Sequence, residues 1–334
     1  MPDTVIAGMG HFHPPHRLEN SFFDSLEIGS EGPWVEERTG IKARCSVLSA
    51  DHLRDLRHER LTLQDLRRDN QVMSIADMSE QAWQRLWQNS NTEPDEPDAV
   101  ICGTSIPDFD IPANACTISE RLKWAHPSFD VNSACSSFVV NLHVAKGLIS
   151  SGQHQSIAIF NPERYSLRIN YQDKGSAVLF GDGCAASLIT NKTGATGLKV
   201  VDTLIESDPS NFETVKIPDG GHFSQKGAAV QKFAIKRTIQ STAKILERNN
   251  LTPDNLAYFA GHQANLRMVE SAAKKLGISQ ERHLYNVDQF GNQGASGAPC
   301  VLSMNWHRFR PGDYIAIAVV GSGLTWGACL LQKV

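Results

Sequence analysis

Residues 129–152 run Phe129-Asp-Val-Asn-Ser-Ala-Cys-Ser-Ser-Phe-Val-Val-Asn-Leu-His-Val-Ala-Lys-Gly-Leu-Ile-Ser-Ser-Gly152. The first residues predict a short strand, and Gly152 is a residue type that commonly ends a helix. After the cysteine, apolar residues recur at the spacing of one helical face, at Phe138, Leu142, Ala145 and Ile149. Cys135 is therefore expected in a tight turn at the start of a helix. The free N–H groups and positive dipole end there favour a thiolate, the nucleophilic form of cysteine.

Composition limits the class of protein. The chain has 334 residues, 41% hydrophobic and 20% charged, which is typical of a globular protein with a large core. A formal net charge of −4 argues against a nucleic-acid partner. The seven cysteines are scattered and form no CxxC pair, which predicts a cytoplasmic protein without disulfides or a metal cluster. No apolar run is long enough to cross a bilayer, and the start MPDTVIAGMGHF predicts a strand and turn rather than a signal peptide.

The second part of the chain repeats the first at a constant spacing. Leu256-Ala-Tyr-Phe-Ala-Gly261 resembles Ala99-Val-Ile-Cys-Gly103, and Tyr314-Ile-Ala-Ile resembles Ser156-Ile-Ala-Ile. Both pairs are offset by 158 residues (261 − 103 and 315 − 157). This offset predicts two similar α/β halves, residues 1–190 and 191–334, packed about a pseudo-twofold axis.

Two other segments carry local signals. Residues 45–72 mix charged residues, Asp69 among them, with leucines three apart, which predicts an insertion of one or two short surface helices. A cover over an active-site mouth or a partner contact is the alternative. Residues 175–189 predict a strand, a Gly-Asp-Gly hairpin turn and a second strand.

The offset also identifies a candidate site. Adding 158 to Cys135 gives Gln293, inside the glycine-rich stretch Gly291-Asn-Gln-Gly-Ala-Ser-Gly297, and it carries Thr104 onto His262. Equivalent strands should end at one central cleft, so Cys135, His262 and Asn292 are expected to meet there. The alternatives are a buried structural cysteine, a capping or packing histidine and a turn asparagine.

These three residue types form a coherent set for acyl chemistry. A thiol can take up an acyl group as a thioester. A neutral imidazole and a carboxamide can donate hydrogen bonds to an oxyanion or enolate. Two backbone N–H groups can stabilise the tetrahedral intermediate. One is the N–H of Cys135, and the other, which we assign to Gly323, lies in the loop Gly321-Ser-Gly-Leu-Thr-Trp-Gly327.

Six stretches together resemble the type III β-ketoacyl-acyl-carrier-protein synthases of the thiolase superfamily, over nearly the whole chain. They are Trp34-Val-Glu-Glu-Arg-Thr-Gly-Ile, Asp130-Val-Asn-Ser-Ala-Cys-Ser-Ser, Phe180-Gly-Asp-Gly, Gly261-His-Gln-Ala-Asn-Leu-Arg, Phe290-Gly-Asn-Gln-Gly-Ala-Ser and Gly321-Ser-Gly-Leu-Thr-Trp-Gly. The resemblance implies an αβαβα layered sandwich, a homodimer, and no metal or redox cofactor. Its substrates would be thioesters of coenzyme A or phosphopantetheine.

The resemblance also implies a ping-pong reaction. An acyl group moves from acyl-CoA or acyl-carrier protein to Cys135. A malonyl-type or β-ketoacyl thioester then binds, and His262 and Asn292 stabilise the enolate that attacks the acyl group. The product is a β-ketoacyl thioester of fatty-acid or, as the insertion suggests, specialised polyketide-type biosynthesis.

Other roles follow from the same resemblance. Trp34 and Arg38 would line the coenzyme A entrance, and Asn265 would contact the pantetheine arm. Lys174 stands where many members have an arginine for a phosphate. Basic residues that would meet an acidic carrier protein, unless they are only solvated, are Arg267, Lys232 and Lys236.

Two alternatives remain open from the sequence. The same three residues could serve an acyltransferase that moves the acyl group to a hydroxyl, amine or thiol without decarboxylation. A non-catalytic subunit of a heterodimeric synthase is a second alternative, which the intact Cys135, His262 and Asn292 disfavour. A biosynthetic thiolase would need a second cysteine in the loop that starts at Gly321, and that loop has none.

Overall fold

The computed structural model describes residues 3–68, 70–90 and 96–334, so Met1 and Pro2 of the predicted N-terminal strand and turn, and Asp69 of the insertion, lie outside it. Within these ranges the strands are β1 Val5–Phe12, β2 His16–Glu19, β3 Ala43–Ser46, β4 Ala99–Cys102, β5 Ser128–Asp130, β6 Ser156–Glu163, β7 Gly183–Thr190, β8 Leu198–Ser207, β9 Val215–Lys216, β10 Ser224–Gln225, β11 Leu256–Gly261, β12 Tyr314–Gly321 and β13 Thr325–Lys333. The α-helices of the same ranges are α1 Asn20–Asp24, α2 Gly32–Thr39, α3 Ala50–Arg57, α4 Leu63–Arg68, α5 Ile75–Ser90, α6 Asn114–Leu122, α7 Ser137–Ser150, α8 Lys174–Ala177, α9 Gly227–Arg248, α10 Leu266–Lys275, α11 Val287–Phe290 and α12 Gly297–Met304.

The main sheet shows a repeated strand pattern. In the described ranges its order is β11-β12-β13-β8-β1-β7-β6-β4-β5. The pair β4–β6 is parallel and β6–β7–β1 is antiparallel, and β11–β12 and β12–β13–β8 repeat this arrangement. Two residue pairs join β1 to β8, Val5 with Lys199 and Ile6 with Leu198. The repeat agrees with the 158-residue offset, while the boundary between residues 190 and 191 stays a prediction.

Helices cover both faces of the two strand sets. One apolar cluster contains residues of α7 and α12 together with strand residues of both sets, so these helices lie between them. Helices α5 and α6 pack against the first set, and α9 and α10 against the second. The predicted stripe of α7 is confirmed, because Phe138, Leu142, Ala145 and Ile149 are at most 1% exposed. Burial on both faces explains the continuous apolar runs of the central strands.

The charged segment 45–72 forms two short helices, α3 and α4, as predicted. Leu53 and Leu66 anchor them in the core beside the first strand set. Their charged side chains pair at the surface, at 2.8 Å for Arg54 with Asp51 and 3.2 Å for Arg60 with Asp55. Exposed pairs of this kind contribute at most about 1 kcal/mol each. The two leucines therefore contribute more to holding this segment in place than its charged pairs do.

The hairpin predicted at residues 175–189 is wrong, although its second strand is present as β7. Its first strand is the short helix α8, whose start is capped by Asp173, since that carboxylate accepts from the Gly175 N–H at 2.9 Å. The central Asp182 of the Gly-Asp-Gly sequence is buried rather than exposed in a turn. It accepts hydrogen bonds from the Val47 N–H at 2.7 Å and the Ser166 N–H at 2.9 Å. These long-range bonds override the local turn preference of glycine.

Alanine substitutions at two glycines are expected to change the free energy of unfolding in opposite directions. A Cβ at Gly10 in β1 would lie 1.9 Å from the Ala82 carbonyl oxygen of α5, so Gly10→Ala is expected to lower the free energy of unfolding by about 3 kcal/mol. Gly147 is exposed in α7 with open space around it, so Gly147→Ala is expected to raise that free energy by up to about 1 kcal/mol. Urea unfolding measures both. A Gly10→Ala protein as stable as the parent would contradict the close packing of α5 on β1.

No helix in the described ranges combines the length and the apolar character that crossing a bilayer requires.

Candidate active site

Cys135 lies in one turn of 3₁₀ helix, Ala134–Ser136, directly before α7. Two side chains fix this turn. The Asn132 Oδ1 accepts from the Ala134 N–H at 2.8 Å, and the Ser137 Oγ accepts from the Ser133 N–H at 2.8 Å. Ala134 has a φ of +46°, a left-handed conformation that costs a non-glycine residue about 1 kcal/mol. The predicted strand–turn–helix is confirmed, and its sharp bend leaves the thiol at the helix start.

His262 follows β11 directly and is held by its neighbour in sequence. The Gln263 side chain donates to the Gly261 carbonyl oxygen at 2.7 Å and accepts from the Asn286 N–H at 3.0 Å. This buried amide ties the end of β11 to the segment that precedes α11. His262 itself is half-buried.

Asn292 is fixed by backbone and side-chain hydrogen bonds. Its N–H donates to the Leu179 carbonyl oxygen at 2.8 Å, and its carbonyl oxygen accepts from the Gly181 N–H at 3.1 Å. The Asn292 Oδ1 accepts from the Gly294 N–H at 3.0 Å. The side-chain oxygen is thus used internally, and the NH₂ group is the donor that remains for a ligand.

The structure places Cys135, His262 and Asn292 on the wall of one cavity, which has an internal volume of about 160 Å³. Phe180 and Phe223 form an apolar part of the same wall, with ring centroids 4.5 Å apart. A cavity with a few polar groups on a largely apolar wall is the usual form of a small-molecule site.

The predicted coenzyme A residues separate into two groups. Asn265 lines the cavity and caps α10, where its Oδ1 accepts from the Arg267 N–H at 2.9 Å. The Lys174 ammonium lies 4.8 Å from the ring centroid of Trp34, so these two side chains adjoin. Trp34, Lys174 and Arg38 lie outside the cavity wall that the described residues form.

The predicted carrier-protein residues lie on α9 and α10. Arg267 donates to the carbonyl oxygens of Glu37 at 3.1 Å and Glu36 at 3.3 Å, which ties α10 to α2. Lys232 and Lys236 are exposed and four residues apart on α9, whose first turns line the cavity.

Gly323 occupies the turn Ser322–Leu324 with a φ of +129°, a conformation that favours glycine. Three of its neighbours, Gly321, Ser322 and Leu324, line the cavity. The turn therefore lies beside Cys135 and His262, where the sequence placed it.

Burial sets the charge state of the site. Burial and, to a smaller extent, the nearby Glu163 together raise the pKa of the Cys135 thiol to about 12, although hydrogen bonds from the Tyr165 hydroxyl and the Cys135 N–H to the ionised sulfur oppose the rise. The thiolate expected from the helix start is thus wrong for the unliganded protein, because burial outweighs the helix end. Burial also lowers the pKa of His262 to about 4, so its imidazole is neutral at neutral pH.

Three polar residues next to the Cys135 thiol were not predicted from the sequence as part of the site. The Tyr165 hydroxyl lies 3.8 Å from the Cys135 Sγ, and Ser105 and Glu163 continue the contact behind it. The offset could have found Glu163, since 163 + 158 gives Gly321 at the start of the predicted oxyanion loop. No spacing pointed to Tyr165 or Ser105.

Metal binding has no candidate in the described part of the chain, where no group of three or more His, Cys, Asp or Glu residues could hold an ion.

Comparison with known proteins assigns the chain to a family. The model of the family described as 3-oxoacyl-[acyl-carrier-protein] synthase III matches residues 129–209, and the model of its C-terminal part matches residues 246–333. The β-ketoacyl-[acyl-carrier-protein] synthase III of Clostridium perfringens (strain SM101 / Type A) is 30% identical over 353 residues, which covers 99% of this chain and 100% of the relative. The chain belongs to the 3-oxoacyl-[acyl-carrier-protein] synthase III family.

Further similarities to this synthase family agree in sequence and in fold. The β-ketoacyl-[acyl-carrier-protein] synthase III of Acidiphilium cryptum is 31% identical, covering 99% of this chain and 100% of the relative. The crystal structure of 3-oxoacyl-[acyl-carrier-protein] synthase III from Aquifex aeolicus VF5 has a TM-score of 0.87 and 27% identity, covering 99% of this chain and 100% of that one. The predicted thiolase-like α/β fold is confirmed, and the chain is an acyl-transferring condensing enzyme of the ketosynthase type.

Proposed function

We propose that this member of the synthase III family carries out a ping-pong condensation with Cys135 as the acyl carrier. The Cys135 sulfur attacks the carbonyl carbon of an acyl-CoA or acyl-carrier thioester, and the CoA or carrier thiolate leaves. The backbone N–H groups of Cys135 and Gly323 stabilise the tetrahedral oxyanion. The observation that carries this proposal is the single cavity lined by Cys135, His262 and Asn292.

In the second half-reaction a malonyl-type thioester loses carbon dioxide, and the electrons of the broken C–C bond form the enolate. The enolate oxygen accepts hydrogen bonds from the neutral His262 imidazole and the Asn292 NH₂ group. The enolate carbon attacks the acyl thioester, a C–C bond forms, and Cys135 is released. The lowered pKa of His262 supports this role, because its imidazole stays neutral at neutral pH and can donate its N–H to the enolate oxygen.

Substrate access uses the residues around the cavity. Asn265 on the wall contacts the pantetheine arm, and Trp34, Arg38 and Lys174 meet coenzyme A outside it. Exposed Lys232 and Lys236, together with Arg267, meet an acidic carrier protein. The position of α9 supports this surface, because its first turns line the cavity while its lysines face solvent.

The remaining assignments belong to the same proposal. The enzyme acts in the cytoplasm as a homodimer of chains built from the halves 1–190 and 191–334, with thioester substrates and without a metal or redox cofactor. Phe109 is 55% exposed and Ile111 is 86% exposed, and such apolar side chains support an interface with a second copy. The insertion at 45–72 supports a specialised polyketide-type pathway.

Carbon dioxide release tests the condensation. Enzyme loaded with an acyl group and given a malonyl-carrier thioester is expected to release one carbon dioxide for each β-ketoacyl product. Acyl transfer to an alcohol, amine or thiol with no carbon dioxide released under any acyl donor would overturn the condensation. It would favour the acyltransferase alternative, which uses the same acyl-enzyme.

A further inference from the structure

A chain of hydroxyl groups leads from the nucleophile to a buried carboxyl group. We propose that Tyr165, Ser105 and Glu163, here called the Tyr165 relay, carry the thiol proton of Cys135 to Glu163 when the acyl-enzyme forms and return it when Cys135 is released. The relay rests on the proposed function for its place in the reaction, since Cys135 must lose a proton before it can attack a thioester.

The two hydrogen bonds between Tyr165 and Glu163 run in the same direction. The Tyr165 hydroxyl donates to the Ser105 Oγ at 3.1 Å, and the Ser105 hydroxyl donates to the Glu163 Oε1 at 3.0 Å. The Tyr165 oxygen is therefore left to accept from the Cys135 S–H, at a separation of 3.8 Å. One concerted shift along this path moves a proton from sulfur to carboxylate without rotating any group.

The carboxyl end of the relay is held in place by backbone groups. The Ser105 N–H donates to the Glu163 Oε2 at 3.0 Å, and the Ala295 N–H donates to the Glu163 Oε1 at 3.1 Å. Glu163 is 0% exposed, and Tyr165 is 2% exposed. Water therefore has little access to Tyr165 and to the carboxyl end of the path, and a proton from the thiol has a defined destination.

The atoms balance over one catalytic cycle. During acylation the S–H bond of Cys135 breaks, the Tyr165 and Ser105 hydroxyls each pass on one proton and receive another, and Glu163 becomes a carboxylic acid. The CoA or carrier thiol leaves as a thiolate and takes its proton from water. During condensation Cys135 leaves as a thiolate, and the same path returns the proton from Glu163.

The pKa values of the site favour transfer of the Cys135 proton to Glu163 over transfer to the His262 imidazole. Burial raises the pKa of Glu163 to about 8, and it raises that of Cys135 to about 12 and lowers that of His262 to about 4. Transfer of the thiol proton to ionised Glu163 is therefore less unfavourable than transfer to His262. Part of Glu163 is ionised at neutral pH, and this part can accept the proton.

The neighbours of Glu163 explain why it binds a proton readily. Hydrogen bonds from Ser105 and Ala295 favour its ionised form, but burial is the larger effect. The titratable groups that face it are Asp182, Cys102, Cys184, Cys135 and Tyr165. Each of these is neutral or negative, so none favours the charged carboxylate.

Alkylation of Cys135 by iodoacetamide, a neutral probe, tests the relay between pH 6 and pH 10, with the modified residue located by peptide mass. For the parent protein the rate is expected to rise with Glu163 ionisation and to level off above pH 8. Tyr165→Phe keeps the ring stacked on Phe180, at a centroid distance of 4.5 Å, but removes the hydroxyl. Its rate at pH 8 is expected to fall at least tenfold and to rise continuously with pH, as for a thiol that ionises directly.

Four further variants separate a relay from a packing effect. Glu163→Gln and Ser105→Ala are expected to lose the plateau as Tyr165→Phe does, and the double variant Tyr165→Phe with Glu163→Gln should be no slower than either single one. Tyr171→Phe removes the hydroxyl of a second buried tyrosine in the same apolar cluster and should keep the parent profile.

The outcomes distinguish the relay from the proposed function. A parent-like alkylation profile in Tyr165→Phe overturns the relay, even if thioesters still load Cys135. Failure of every thioester to load the parent protein overturns the proposed function, while a plateau that disappears in Tyr165→Phe still establishes the relay.

Discussion

Cys135→Ala is expected to abolish acyl loading and to lower condensation turnover by about 10⁴-fold or more, because removing the nucleophile removes the covalent step altogether. The side chain loses only a sulfur at a half-buried position at the start of α7, so the fold should persist. Intact-mass analysis after incubation with acyl thioesters measures loading, and product formation from a malonyl-carrier thioester measures turnover.

Cys116→Ala is the matched control for this variant. Cys116 is the exposed cysteine of the described residues and lies on α6, away from the cavity wall. It should load and turn over as the parent does. Persistent thioester labelling of Cys135→Ala would show that another residue carries the acyl group.

His262→Ala and Asn292→Ala are each expected to lower condensation by about 10²–10³-fold while acyl loading of Cys135 continues. Each change removes one donor to the enolate oxygen, and a donor aimed at developing negative charge is worth that much in a buried site. The pre-loaded enzyme isolates the step, because only decarboxylation and C–C bond formation then remain to be measured.

A loss of stability has to be separated from a loss of catalysis in these variants. Asn292→Ala also loses the hydrogen bond from the Gly294 N–H, which costs about 1 kcal/mol of the free energy of unfolding. Urea unfolding reports this cost directly. If either variant condensed at the parent rate after loading, the enolate would be stabilised by other groups.

The sequence predicted the parts of the fold that depend on repetition and periodicity. The apolar stripe of α7 follows from helical spacing, and the repeated strand pattern of the two strand sets follows from the 158-residue offset, because similar segments fold into similar units. The same offset predicts that Cys135, His262 and Asn292 lie at one cleft, and all three line one cavity.

Polar contacts between segments that are distant in sequence could not be predicted from local sequence patterns. Nothing local to residues 175–189 shows that Asp182 will be fixed by Val47 and Ser166, so glycine preferences suggested a hairpin. The resting thiol of Cys135 was missed for a related reason, since a helix start is visible in sequence but the depth of burial around it is not. Tyr165 and Ser105 come from separate segments, and only the folded chain places them together.

The most direct test of Cys135 as the acyl carrier is the intact mass of the parent protein after exposure to a panel of acyl-CoA and acyl-carrier thioesters. We expect at least one donor to add the mass of one acyl group per chain, on the peptide that contains Cys135. An unchanged mass with every donor, or an acyl group on another residue, would contradict that role.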